Sequence, residues 1–323
     1  MLYSDGMKLN PQDQFSANEN TVQVALEQYA LSLVSFEAAK SGIENMTILV
    51  NTDMGRFVLR VYRQNKKTDR DIEEEIRFTH YLNQNNLPVP IVQSNTNNQH
   101  LTHISVDHLQ RQLVLMQYMA GTHPPHYSMS LIKDMACIQA KLHLLSEKYD
   151  YDPGDKPRLT ELRETVIIKE IAKEGLDSRL VGFIERAEKY VVVLSSKLPN
   201  GVCHLDYSKG NILVDDSSNV CAVLDFDDME AAPYTVCLGF ALYHLRHGGC
   251  NQKEQAEYLS QYEAVRKLSN AEATILTSIE LFRHYFISSL QIFHQHRSEA
   301  DIVNYLDIES DLLTQVQIAF NES

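Results

Sequence analysis

Apolar residues recur at helical spacing over residues 19–34, where Val22, Ala25, Leu26, Tyr29 and Leu33 predict a first helix. The texture then changes to short runs. Thr47 to Val50 and Arg56 to Tyr62 predict two strands, joined as a hairpin by Thr52-Asp53-Met54-Gly55. A charged helix follows over Asp69 to Asn83, with Ile72, Ile76, Thr79 and Leu82 on one face. Leu87-Pro88-Val89-Pro90 stops it, since proline cannot continue a helix. Ser94 to Gln99 reads as a turn between further strands, and Leu113 to Tyr118 predicts a buried strand that Ala120-Gly121 breaks. Beyond Gly121 the pattern is helical: Leu131 to Glu147, then 160–174 and 178–195 after a loop at 150–158. Two short strands come next, then helices over about 235–247, 252–267, 271–297 and 301–320. The pattern predicts an α+β chain of two units, a mostly β lobe at 1–120 and a mainly helical lobe at 121–323.

Composition changes this picture in three ways. At 323 residues and 44% apolar, the chain can bury one large core or two modest ones, which suits two lobes around a cleft. Lys and Arg number 29 against 43 Asp and Glu, a net charge of −14. Nucleic acid and acidic membranes are therefore poor partners, because their binding needs clustered cations. The five cysteines are odd in number, lack a CxxC and sit in or beside apolar runs, as expected of reduced core thiols. Met1 to Gln14 lacks a basic-then-apolar leader, and no run of about 18 apolar residues could span a membrane. The expected location is the cytoplasm.

Two segments carry candidate chemistry. The first reads His204-Leu205-Asp206-Tyr207-Ser208-Lys209-Gly210-Asn211, and the second reads Val223-Leu224-Asp225-Phe226-Asp227-Asp228. A carboxylate, a carboxamide five residues later and a carboxylate ending the next apolar run suit phosphoryl transfer. Asp206 would accept the proton of an attacking hydroxyl. Asn211 and Asp225 would hold Mg²⁺ on ATP phosphates, because a hard cation takes oxygen ligands. Either segment alone is weak, since Asp and Asn also satisfy turn backbones. Three carboxylates crowded at one strand end repel one another, however, and often mark a cation site.

In this order the segments resemble the aminoglycoside phosphotransferase and choline kinase family, relatives of the protein kinases, and the likeness extends over most of the chain. The resemblance implies a two-lobed protein-kinase-like fold, with ATP and Mg²⁺ as cofactors. His204, Asp206 and Asn211 match the family's first motif and Asp225 opens its second; His204 is expected to brace the loop beside Asp206. Glu75 resembles the family's ion-pair glutamate. Arg60 stands where protein kinases use lysine, so the resemblance implies that Glu75 holds Arg60. Val114 to Gly121 resembles the inter-lobe hinge and adds Gln117 and Met119 to the nucleotide set. Ser41-Gly42-Ile43-Glu44-Asn45 resembles the nucleotide loop of the homoserine kinase branch and adds Gly42 and Asn45.

The chain also departs from the family. Cys237 lies near the point where relatives often carry an aspartate opening a helix, which leaves the bracing of the catalytic loop open; Leu205 replaces a common glycine. Nothing after Asp225 resembles a long activation loop, which favours a small hydroxyl compound over a protein substrate. The acceptor is expected near Asp227, Asp228 and Glu230. Tyr243, Tyr258, Tyr262, Phe282, Tyr285 and Phe286 either line its pocket or pack the core. The absence of Trp argues mildly against choline. Homoserine or another amino alcohol leads, with an antibiotic-modifying kinase and a catalytically silent nucleotide-binding module as alternatives. Lys209 reads equally as a phosphate contact or a solvated loop residue. His244 with His247, and His294 with His296, complete no tetrahedral zinc set. A homodimer is a possible assembly.

Overall fold

The computed structural model describes residues 17–38, 45–64, 67–106, 109–152, 198–276, 279, 280 and 283. Gly42, the helices expected over 160–174, 178–195 and 301–320, and most of that over 271–297 lie outside the described residues.

Five antiparallel strands form one sheet: β1 (Leu33–Ala38), β2 (Met46–Thr52), β3 (Gly55–Val61), β4 (Thr102–Val106) and β5 (Leu109–Gln117), in spatial order β1-β2-β3-β5-β4. Strand pleating sends successive side chains to opposite faces. Leu59 and Val61 of β3 join Ile48 and Val50 in a core beneath α1 (Glu19–Glu27), whose Val22, Ala25 and Leu26 are fully buried. Arg60, one residue out of phase, faces the other side with Tyr62. There α2 (Asp69–Gln84) packs Ile72 and Ile76 against Tyr62 and Val114. Thr68 and Asp71 close a capping box at the start of α2.

The helix expected over 19–34 is shorter than its periodicity suggested. It ends at Glu27, Ala30 turns with φ +55°, and Leu33 onward pairs with β2 as an edge strand. Ladder hydrogen bonds to β2 outweigh the single Leu33 that extended the helical stripe.

The second lobe gathers α3 (Met129–Ser146), α4 (Tyr234–His247) and α5 (Gln252–Val265) around two ribbons. In these, β6 (Asn200–Cys203) pairs with β9 (Glu230–Pro233), and β7 (Ile212–Val214) pairs with β8 (Val220–Val223). Leu131 and Met135 of α3, Leu238 and Leu242 of α4, and Tyr207, Ile212 and Phe226 share one core. Tyr258 and Tyr262 are fully buried in it, so they pack the interior. Among the described residues no helix is long and apolar enough to cross a membrane.

Gly121 follows β5, and the next residue, Thr122, exchanges hydrogen bonds with Val214 at 3.0 and 2.9 Å. Gly121 has φ +155°, and a Cβ there would stand 2.7 Å from Cys221 Sγ and 2.9 Å from the Val214 carbonyl. Gly121→Ala is expected to destabilise the protein by roughly 1–3 kcal/mol through overpacking. An unchanged denaturant midpoint in the alanine variant would contradict this.

Candidate active site

The loop carrying Asp206 leaves β6 at Cys203 and is stitched to the second segment by two bonds through Leu224. His204 is fully buried; its Nε2 donates to the Leu224 carbonyl at 2.8 Å and its Nδ1 accepts from the Asp206 N–H at 3.3 Å. These partners fix the tautomer and make His204 a brace. Residues Lys209–Asn211 form a 3-10 turn, and the Asn211 carbonyl accepts from the Leu224 N–H at 2.8 Å. Asn211 Nδ2 donates to both the carbonyl and Oδ2 of Asp206, at 2.9 Å each. Both partners are acceptors, so the amide orientation is set, and Asn211 Oδ1 is turned away from Asp206.

Two residues here hold left-handed backbones, Leu205 at φ +60° and Asp225 at φ +64°. Asp tolerates this conformation through its short polar side chain. Leucine does not, and the cost is roughly 1–2 kcal/mol, which the surrounding contacts must sustain.

Burial works against ionisation of Asp206, but His244, Arg283 and His204 outweigh it and hold the carboxyl well below the usual range. His244 Nε2 lies 3.4 Å from Asp206 Oδ1, too long for a strong hydrogen bond. Burial pulls the His244 imidazole down despite Asp206, so it is neutral at neutral pH.

The second segment meets the β lobe in an ion network. Arg60 bonds Asp225 Oδ1 at 2.7 Å and also pairs with Asp227. Lys67 Nζ reaches Glu75 Oε2 at 2.6 Å and Asp227 Oδ1 at 3.2 Å. Asn45 donates to Asp227 and accepts from the Arg63 N–H at 3.0 Å. Burial disfavours Lys67's charge, but Glu75 and Asp227 prevail and raise its pKa. Burial likewise opposes the Asp227 carboxylate, and Arg60 and Lys67 overcome it, lowering that pKa.

Several expectations change accordingly. Glu75 holds Lys67, not Arg60, because Arg60 turns to the two aspartates instead. Asp227 points at Arg60, Lys67 and Asn45 rather than toward an acceptor. Lys209 Nζ is spent on the carbonyls of Pro124 and Pro125, at 3.4 and 3.1 Å, not on phosphate. At the hinge, the Gln117 N–H is taken by the Ile91 carbonyl at 2.8 Å, and Met119 is half-buried. Asp228 is half-buried in the turn after Asp227.

Sequence reasoning missed Lys67 and the place of His244. Lys67 sits in a polar loop without periodicity, marked only by its position just before the Thr68 cap. His244 did carry a signal, since it lies seven residues past Cys237 and so on the same face of α4. A groove of about 700 Å³ along the outer side of α2, lined by His80, Tyr81, His100 and His103, contains none of these groups.

The comparisons converge. Homoserine kinase of Gluconobacter oxydans is 23% identical over 276 residues, spanning 80% of this chain and 82% of that one. Homoserine kinase of Bradyrhizobium diazoefficiens is 22% identical over 258 residues, spanning 78% and 77%. Among solved structures, a microcompartment-associated aminopropanol kinase superposes with TM-score 0.70 at 22% identity, covering 87% of this chain and 91% of that one. Amicoumacin kinase, solved with AMP-PNP and Ca²⁺, gives 0.73 at 15% identity, covering 91% and 93%. These neighbours share the protein-kinase-like arrangement of sheet and helices described above. Residues 35–268 match the model of one family, and the chain belongs to it: the phosphotransferase enzyme (APH) family.

Proposed function

We propose that the protein is an ATP- and Mg²⁺-dependent kinase that phosphorylates the hydroxyl of a small amino alcohol, with homoserine the first candidate. One observation carries this reading: Asp206 and Asn211 are bonded at 2.9 Å and tied through Leu224 to the half-exposed Asp225. The donor set fits the cation. Asn211 spends its Nδ2 on Asp206, so its Oδ1, with the Asp225 carboxylate, supplies the hard oxygens that Mg²⁺ takes. Bound there, magnesium neutralises charge on the transferring phosphoryl group.

The chain's own groups do the rest. Asp206, ionised at neutral pH, orients the acceptor hydroxyl and takes its proton as the new O–P bond forms and the bond from the γ-phosphorus to the departing ADP breaks. Arg60 Nε is buried without a hydrogen-bond partner, and its guanidinium fork suits phosphate oxygens. Lys67, held by Glu75, is a second cation at the same edge of the cleft. Arg283, stacked on Phe240 at 4.4 Å and within electrostatic reach of Asp206, matches the carboxylate of an amino-acid alcohol. Asp228 is the proposed contact for its amine. The homoserine and aminopropanol kinases among the similar proteins support this substrate class.

ATP consumption measured against homoserine, aminopropanol and a set of aminoglycosides tests the reading. Turnover is expected with an amino alcohol and is expected to stop when EDTA removes the cation. Binding of Mg²⁺–ATP without turnover on any acceptor would favour a silent nucleotide-binding module.

A further inference from the structure

We infer that His244 is a positioning residue for Asp206: its Nε2–H holds Oδ1 while Asn211 holds Oδ2, so that the open side of Oδ1 meets the acceptor hydroxyl. The functional part of this inference rests on Asp206 as the proton acceptor. His244 lies in the last turn of α4, outside both segments that carry the candidate chemistry.

The two Asp206 oxygens have different surroundings. Oδ2 receives Asn211 Nδ2 at 2.9 Å. Oδ1 has His244 Nε2 at 3.4 Å. That nitrogen is shielded from solvent and, among the described residues, completes no hydrogen bond. A buried N–H without an acceptor is costly, and an ionised carboxylate can only accept. The pairing therefore puts the imidazole proton on Nε2 and aims it at Oδ1. At 3.4 Å the contact is long, but hydrogen bonds at a reacting group are often long before substrate binds and tighten in the complex. The same carboxylate stays within reach of an acceptor, because the Asp206 side chain is 30% exposed and that of His244 20%.

The helix that carries the imidazole is docked on the Asp206 loop at a second point. The Gly248 N–H donates to the His244 carbonyl at 2.9 Å. A Cβ at Gly248 would stand 2.3 Å from Tyr127 Cε2, so the end of α4 lies directly on that ring. The Tyr127 hydroxyl in turn accepts from the Lys209 N–H at 3.1 Å, three residues past Asp206. Leu242 and Leu245, on either side of His244, are buried in the common core. Two donors on one carboxylate fix its orientation, which a proton acceptor needs, since a misplacement of about 1 Å can cost about 10²-fold in rate. Donation also survives protonation of the ring, because both nitrogens then carry protons.

The first test needs no substrate. In native protein carrying nitrogen-15 histidine at about pH 8, where imidazoles are neutral, the His244 ring is expected as the tautomer protonated at Nε2. Its Nε2 resonance is expected to move in Asp206→Ala, where the acceptor is gone. His244→Phe assigns the resonance and keeps a ring without a donor. In that variant kcat is expected to fall by about 10- to 10²-fold, with KM for ATP unchanged, because Arg60 and Lys67 keep their partners. His244→Gln returns a donor near the place of Nε2 and is expected to recover most of kcat. Combined with Asp206→Ala, His244→Phe is expected to change kcat by under about threefold, the non-additivity of residues that act as a unit.

A tautomer protonated at Nδ1 overturns the inference, as does an Nε2 resonance indifferent to Asp206→Ala. So does a folded phenylalanine variant with unchanged kcat. A glutamine variant no better than phenylalanine would call for a base in place of a donor, and overturns it too. A full further loss on top of Asp206→Ala would make the role of His244 structural and independent of Asp206. The resonances need no turnover, so failure of the kinase reading is told apart from failure of this one.

Discussion

Replacing Asp206 with alanine lowers kcat by about 10²–10⁴-fold, the contribution expected of a positioned proton acceptor, while ATP affinity stays nearly unchanged. Among the described residues, Asp206 touches no small-lobe cation. Its partners are Asn211, His204 and His244, all within the second lobe, so the Arg60 and Lys67 contacts survive its loss. Asp206→Asn keeps the shape and removes only the charge, and is expected to match alanine within about tenfold in kcat. Steady-state kinetics with calorimetric ATP titration check both. Turnover unaffected in either variant would remove Asp206 from the chemistry.

The direction of the Asp206 shift makes a second statement. Its folded pKa lies below the unfolded value of about 3.9. The stability it contributes is therefore fully present above that unfolded value and is lost as pH falls through the lower, folded value. In kinetics, a group ionised across the mildly acid range sets no acid limb of kcat near pH 6. Any limb near pH 6.5 belongs to another group, and its disappearance in Asp206→Asn would contradict the assignment.

Asp227→Ala is expected to be the most destabilising single change in the cleft, by about 3–5 kcal/mol. Asp227 is 8% exposed at its side chain and receives Arg60, Lys67 and Asn45, which are themselves largely buried. Among the described residues, removing it leaves Lys67 paired with Glu75 and Arg60 paired with Asp225, whose side chain is 44% exposed. The penalty comes from buried charge without compensation, not from the loss of one attraction. The Arg70–Asp152 pair gives the contrast. One guanidinium nitrogen reaches both carboxylate oxygens, at 2.6 and 2.7 Å, but the side chains are 54% and 50% exposed, so cutting the pair is expected to cost under about 1 kcal/mol. Denaturant unfolding of Asp227→Ala and Asp152→Ala side by side checks the ranking. Equal losses would mean that the network is not buried in solution.

The sequence by itself determined the sheet-then-helix order, the extent of α2 from its apolar face and the proline that follows, and the two segments that hold Asp206, Asn211 and Asp225. Each is local: periodicity, turn chemistry and short spacing act within a few residues. The same locality explains the misjudged first helix, where one Leu33 in phase could not reveal that β2 would supply a ladder. Tertiary structure alone decided who pairs with whom. Lys67 reaches Asp227 across 160 positions, Arg60 reaches Asp225 across 165, and Gln139 meets Cys237 across 98. Such partners are selected by desolvation, because a buried charge or donor must find a complement wherever the packed chain brings one. That selection, which no stretch of local pattern records, placed Glu75 on Lys67 and brought the Gln139 amide onto Cys237.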